Sequence, residues 1–168
     1  MTAPEVMERM ARNNAWANAR LHAAISALPP GAWLAPRPAF FPSIRQTLIH
    51  ILEVDRYYLG ALGIAPDGPA APPRLDVLTA AQATCDRALV RYCGELAPGD
   101  LGRTVVTDRD EGALEEVVGD LLMHLFQHQV HHRGQVHAML SHAGAHPPQL
   151  DEFFLAYDRH PTAARFDA

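Results

Sequence analysis

GDLLMHLFQHQVHHRGQVHAMLSHAG, residues 119–144, is the stretch with the clearest helical periodicity in this chain. From residue 113 to residue 142 there is no proline, and core-facing positions recur in alternating steps of four and three, the period of an amphipathic helix. These positions are Leu114, Val118, Leu121, Leu125, His128, His132, Gln135 and Met139. The sequence therefore predicts a long helix over residues 113–142.

Three earlier segments show the same period and are separated by proline- and glycine-rich stretches. They are residues 4–28, a segment that begins after Ser43 and ends near Gly63, and a segment whose apolar positions run from Leu78 to Leu96. Four amphipathic helices predict an all-α fold, a four-helix bundle with long connecting loops. A length of 168 residues suits one domain over residues 1–168.

Two segments are less clear. RTVVTDRDEG, residues 103–112, is rich in β-branched residues and could be an extended connection or one arm of a hairpin; we treat it as a linker. QLDEFFLAY, residues 149–157, is predicted as a short C-terminal helix that packs its phenylalanines against the end of the bundle.

The composition excludes several classes of function. All 14 basic residues are arginine, they form no basic stripe, and the net charge is −5, so we expect no direct contact with nucleic acid. Charges or histidines interrupt every apolar run before the ~20 residues that a membrane span needs. We therefore expect no membrane segment and a cytoplasmic location. Cys85 and Cys93 are expected to be free thiols, with Cys85 in the core.

The histidines of the last helix suggest a metal site. His128 and His132 lie one turn apart, so their side chains diverge by only about 40° and can reach one ion. No carboxylate stands three or four residues from either, so a buried pair needs another partner. His50, in the middle of the second helix, could supply a third imidazole. The alternatives are core histidines bonded to carbonyls or water, or a pH-sensitive dimer surface.

Other polar residues near this pattern have less defined roles. His124, His131, His137 and His142 could bond to the ligands, lie at an interface or face solvent, and Gln135 could hydrogen-bond His132. Tyr57 and Asn14 could line a pocket or be polar core residues. Gln129 stands where a zincin protease would carry its glutamate, so a metalloprotease is not expected.

Three motifs resemble the DinB (damage-inducible), YfiT-like family. They are NNAWANARL at 13–21, FFPSIRQTLIHILEVDRYYL at 40–59 and the quoted stretch at 119–144. The resemblance implies a four-helix bundle, a homodimer, and one divalent ion, zinc or nickel, held by His50, His128 and His132. Relatives such as mycothiol-dependent maleylpyruvate isomerase and the bacillithiol transferases use their metal to bind a low-molecular-weight thiol.

The expected function is a metal-dependent transferase or hydrolase that activates a small thiol or water toward a small-molecule substrate. The alternative is a non-catalytic bundle that binds metal or a partner protein, as a dimer in a stress response. Whether the chain is an enzyme is left open at this point.

Overall fold

The computed structural model describes residues 1–64, 66, 72–110, 112–155 and 161–166. Its helices are α1 (Ala3–Ser26), α2 (Ile44–Ala61), α3 (Leu75–Gly94) and α4 (Val118–His142), and its strands are β1 (Thr104–Arg109) and β2 (Gly112–Val117). Short 3-10 helices lie at Ala32–Leu34, Asp100–Gly102 and Pro161–Phe166. None of the helices within these ranges is long and apolar enough to cross a bilayer.

Side-chain caps begin the first two helices, and the second cap lies at Ser43, where the sequence predicts the start of that helix. The hydroxyl of Thr2 accepts a hydrogen bond from the Glu5 N–H, while the Glu5 carboxylate accepts one from the Thr2 N–H. This reciprocal capping box satisfies two donors that the first turn would leave without partners. Ser43 caps α2 by accepting a hydrogen bond from the Gln46 N–H at 3.2 Å.

The four helices pack around a common apolar core. α1 and α2 each pack against both α3 and α4. Buried residues from the helices form two adjoining clusters, which include Leu52, Leu59, Leu89, Leu122 and Leu125 in one and Leu21, Ile25, Ile51, Val136 and Leu140 in the other. Cys85 and Cys93 are buried free thiols, as predicted. The packing of α2 beside α4 brings the predicted metal ligands of the two helices together.

Residues 103–112, treated above as a linker, begin an antiparallel hairpin, which is the alternative that the sequence left open. β1 pairs with β2 in a register that sets Val105 opposite Glu116 and Thr107 opposite Leu114. Residues 113–117 therefore belong to β2, and Leu114 is 48% exposed rather than buried on a helix. α4 begins at Val118, whose N–H donates to the carbonyl of Arg103. The chain is mostly helical but not strictly all-α.

The predicted C-terminal helix is also misplaced. Residues 149–155 are not helical, and Ala156 and Tyr157 lie outside the described residues. Phe153 is fully buried with its ring 5.7 Å from that of Trp16, whereas the next residue, Phe154, is exposed under the guanidinium of Arg9. An irregular segment suffices because only Phe153 is inserted into the core. The short helical element lies further on, at residues 161–166.

Candidate metal centre

A cleft of about 680 Å³ lies along the contact between α2 and α4. Helical residues form most of its wall, and Phe40 from the loop before α2 and Arg109 from β1 complete it. The described lining residues are Phe40, His50, Val54, Tyr57, Tyr58, Arg109, His124, His128, His131, His132 and Gln135. The volume falls in the range of ordinary small-molecule sites.

His50, His128 and His132 meet at one wall of this cleft. Each offers a ring nitrogen, and the three nitrogens lie within 4.8 Å of one another. The Nε2 atoms of His50 and His128 are 2.9 Å apart, and the ring of His132 lies 4.6 Å from that of His50 and 4.4 Å from that of His128. Two nitrogens that each lie ~2.0–2.1 Å from one zinc ion are about 3 Å apart. The pair formed by His50 and His128 is close to that separation, and the nitrogen of His132 lies within 4.8 Å of both.

Local packing explains why the rings converge. His128 and His132 lie on successive turns of α4, on the side that faces α2, and His50 faces them from the middle of α2. The ring of Phe41, in the loop before α2, lies 4.6 Å from that of His50 and 5.7 Å from that of His132. This aromatic contact restricts both imidazoles and covers one side of the cluster.

A hydrogen bond to Gln135 determines which ring nitrogen of His132 carries the proton. Nδ1 of His132 lies 2.9 Å from the amide oxygen of Gln135, and the amide nitrogen of Gln135 lies 3.0 Å from Nε2 of His131. An amide oxygen only accepts hydrogen bonds, so in this amide orientation Nδ1 of His132 is the donor and Nε2 of the neutral ring has a free lone pair. Metal-bound histidines are commonly oriented by such a bond.

The three imidazoles are held in their neutral form. Burial lowers the pKa of His128 to about 3, with a further contribution from the neighbouring histidines. Burial also lowers the pKa of His50 and that of His132, and the charge of His132 adds to the effect on His50. Neutral imidazole is the form that binds a metal ion, so no proton has to be removed near pH 7.

Hydrogen bonds to the described residues leave some ring nitrogens of these three histidines without a partner. The contact between His50 and His128 holds at most one hydrogen bond, because both atoms are imidazole nitrogens. Nδ1 of His128 is buried and has no partner among the described residues. Within the same residues, the only hydrogen bond of His132 is the one to Gln135. Three neutral nitrogen donors around one point suit a divalent ion such as zinc or nickel.

The other histidines of α4 separate into two groups. His124 and His131 line the cleft beside the three converging rings. His137 instead contacts the carbonyl of Pro148, 3.2 Å from its Nε2, and His142 is exposed in the last turn. Tyr57 lines the cleft as well, whereas Asn14 lies in a separate buried network.

That buried network was not predicted, and it adds a second line of buried positions beside the predicted seam of α4. Gln129 is fully buried and Arg133 nearly so, whereas His128, one residue before Gln129, is only half-buried. The buried face of α4 is thus wider than the predicted line, whose Leu121, Leu125, His132 and Met139 are also buried. A polar pair at positions 129 and 133, four apart like the histidines, was the available signal.

The network joins all four helices beneath the cleft. Asp55 of α2 accepts hydrogen bonds from Gln82 and Gln129. Asp86 of α3 accepts from Asn14, Asn18 and Gln82, and Arg133 of α4 donates to Asn14, Asn18 and Gln129. Burial raises the pKa of Asp55 to about 7 and that of Asp86 to about 6. These bonds fix α2 and α4 relative to each other, close to the converging histidines.

Comparison with known proteins gives the same fold. Residues 1–162 match the sequence model described as DinB family. The crystal structure of a DinB-like protein from Bacillus cereus is similar with a TM-score of 0.63 and 19% sequence identity, over 79% of this chain and 89% of that chain. At this identity the likeness establishes the fold alone. No curated protein is a significant match.

Proposed function

This chain belongs to the DinB family, and on that premise we propose that it binds one divalent ion, zinc or nickel, through His50, His128 and His132 and acts with it on a small molecule. The observation that carries the proposal is the convergence of three neutral imidazole nitrogens within 4.8 Å on the wall of an open cleft. Three protein ligands leave coordination positions for a guest, as in catalytic zinc sites.

The reaction that fits such a site best is a transfer or hydrolysis. A bound divalent ion would lower the pKa of a thiol or of water and so supply a nucleophile at neutral pH. Gln135 orients His132, and Phe41 shields His50 and His132. The cleft beside the histidines, at about 680 Å³, has the size of an ordinary small-molecule site.

A non-catalytic role is the second candidate, in which a homodimer binds metal or a partner protein in a stress response. One observation favours it: none of the described residues that line the cleft is a carboxylate. Proton transfer would therefore depend on His124 or His131, which line the cleft beside the three ligands.

Metal content and turnover together test the proposal. Untagged protein is stripped with a chelator, reloaded with zinc or nickel, and assayed with small thiols and electrophiles and with ester and amide substrates. We expect one ion per chain and turnover that disappears on stripping and returns on reloading. His128→Ala should lose both the ion and the turnover. His142→Ala, which removes an exposed histidine from the same helix, should retain both.

The two candidates differ in one outcome. Metal binding that depends on His128, without turnover of any substrate, would favour the non-catalytic role. A full complement of ion in His128→Ala would contradict both, since both place the ion on this residue.

A further inference from the structure

The chain is acidic overall, but the histidine cleft is not lined by acidic residues. The chain has a net charge of −5, yet the described lining of the cleft contains no aspartate or glutamate. Arg109 of β1 is the one described lining residue with a permanent charge. A ligand that enters this cleft therefore meets a guanidinium on one wall and neutral imidazoles on another.

Arg109 is held in place by α2 and by the second strand of the hairpin. Its Nη2 donates to both carboxylate oxygens of Glu116 at 2.8 Å and to the Tyr58 hydroxyl at 3.3 Å. Its guanidinium carbon lies 5.4 Å from the centre of the Tyr57 ring and 5.5 Å from that of Tyr58. The Tyr57 hydroxyl also donates to the carbonyl of Asp108 at 2.6 Å. The side chain is thus oriented before any ligand arrives.

These contacts leave donors of the guanidinium unused. Arg109 has five N–H groups, and all of its hydrogen bonds to described residues start from Nη2. Among the described residues, Nε and Nη1 of Arg109 have no hydrogen-bond acceptor. Glu116 lines a neighbouring pocket with Asp120 and does not line the histidine cleft. Arg109, Tyr58 and His124 line both pockets, so the guanidinium lies where the two meet, with Glu116 in the neighbouring pocket and the histidine cleft on the other side.

A row of rings connects Arg109 with the metal ligands. The Tyr58 ring lies 5.4 Å from that of His124, which in turn is stacked 6.2 Å from that of His128. Phe40, Val54 and Tyr57 add apolar surface to the same cleft. One molecule could thus place an anionic group at Arg109, an apolar body along the rings and a reacting group at the histidines.

We propose that Arg109 is an anion-binding residue of this cleft and that its ligand is a small organic acid, a carboxylate or phosphate monoester with an apolar or aromatic body. Charge-assisted hydrogen bonds from a guanidinium to such oxyanions are among the strongest in proteins. The reaction of this acid rests on the proposed function, whereas its binding through Arg109 does not require the metal.

A set of matched probes tests the assignment. The full-length protein, zinc-loaded and chelator-stripped, is titrated at pH 7 with 3-phenylpropionate, with phenethyl phosphate and with the neutral 3-phenylpropanamide, and binding is followed by NMR shifts. We expect the stripped protein to bind at least one of the two acids roughly tenfold more tightly than the amide. The tighter of the two acids then identifies the class of oxyanion.

Two arginine variants control for charge and folding. Arg109→Gln should bind acid and amide equally, and Arg109→Lys should keep part of the preference. Arg103→Gln removes the same charge from an exposed arginine just before β1 and should bind as the wild type does. Equal binding of acid and amide by the wild type, no binding of either acid, or an acid preference that survives in Arg109→Gln would overturn the proposal.

Zinc content measured on the same samples separates this proposal from the proposed function. If the protein takes up no zinc when it is loaded but shows an acid preference that depends on Arg109, the metal site alone is contradicted. Tight zinc binding with no role for Arg109 would contradict the anion site alone.

Discussion

At the scale of single residues, the site depends on which nitrogen of each imidazole carries a proton. Gln135 accepts from Nδ1 of His132 and donates to His131, so one amide fixes His132 and touches a second histidine of the cleft. His132 is buried and Gln135 is half-buried, so solvent cannot fully replace this bond. The orientation of a proposed metal ligand therefore depends on a residue that would not itself bind the ion.

The first prediction follows from this bond. Gln135→Leu should lower the zinc affinity about 10–100-fold, because His132 loses the partner that fixes its tautomer and ring orientation. Gln135→Glu keeps an acceptor oxygen and should largely preserve the affinity. Competition with a chromophoric chelator measures the effect. Gln127→Leu, an exposed position on the same helix, is the control and should not change it. Equal affinities in all four proteins would contradict the role given to Gln135.

The sequence predicted part of this residue-level arrangement. The spacing of His128 and His132 requires only the geometry of one helix, so it could be read directly. Gln129 and Arg133 were missed because a single line of core-facing positions does not show how wide the buried face of α4 is. That width is set by Asp55, Asp86 and other groups from distant parts of the chain.

At the scale of elements, α4 contains two glycines in different surroundings. A Cβ added at Gly119 would lie 3.1 Å from the carbonyl oxygen of Leu101, in the 3-10 turn before the hairpin. A Cβ added at Gly134 would meet nothing within 4 Å. The first glycine therefore allows close approach of two backbones, and the second only lowers the stability of the helix.

The second prediction compares these two positions. Gly134→Ala should raise the free energy of unfolding by about 0.5–1 kcal/mol, because alanine has the higher helix propensity. Gly119→Ala should give no gain or should lower it, since Leu101 must shift. Urea denaturation of both variants and the wild type measures the difference. Equal stabilisation by the two substitutions would show that the contact with Leu101 does not constrain the start of α4.

The second strand of the hairpin, β2, shows why one element could not be predicted. Leu114 and Val118 are four residues apart and fit a helical seam, but the segment between them also fits a strand. Pairing with β1 decides between the two, and this pairing is a contact between residues on both sides of a turn. The spacing of apolar residues along one segment carries no information about this pairing. The boundary of α4 and the position of Arg109 beside the cleft were therefore visible only in the structure.

At the scale of the whole molecule, buried ionisable groups in all four helices make the stability depend on pH. His22 of α1 is buried, with its Nδ1 2.8 Å from the Thr79 hydroxyl, and burial lowers its pKa to about 4 from an ordinary value of 6.5. Between these values the unfolded chain binds a proton that the folded chain does not. The contribution of His22 to stability is therefore complete above pH 6.5 and is lost as the pH falls toward 4.

Asp55 and Asp86 act in the opposite direction. Burial raises their pKa to about 7 and about 6 from an ordinary value of 3.8, so the folded chain keeps protons that the unfolded chain releases. The contribution of these two carboxyl groups to the free energy of unfolding is complete below about pH 4, and it is lost as the pH rises to between 6 and 7. A pH profile of the wild type alone would mix the two effects.

The third prediction isolates the histidine. His22→Gln should be less stable than the wild type at pH 7, and this gap should narrow by up to roughly 3 kcal/mol as the pH falls from 6.5 to 4. Guanidinium denaturation at several pH values measures both proteins. His142→Gln makes the same substitution at an exposed position of α4 and is measured beside it as the control. A gap for His22→Gln that stays constant or widens toward pH 4 would contradict the lowered pKa of His22 in the folded protein.

The central claim is that imidazoles from two helices hold one divalent ion, and calorimetric titration of zinc into chelator-stripped protein tests it most directly. His50 is the decisive residue because it alone comes from α2. The wild type should bind one ion per chain, and His50→Ala should bind it at least ~100-fold more weakly, since a first ligand matters no less than the residues that orient ligands. No zinc binding by the wild type, or unchanged binding by His50→Ala, would contradict the account.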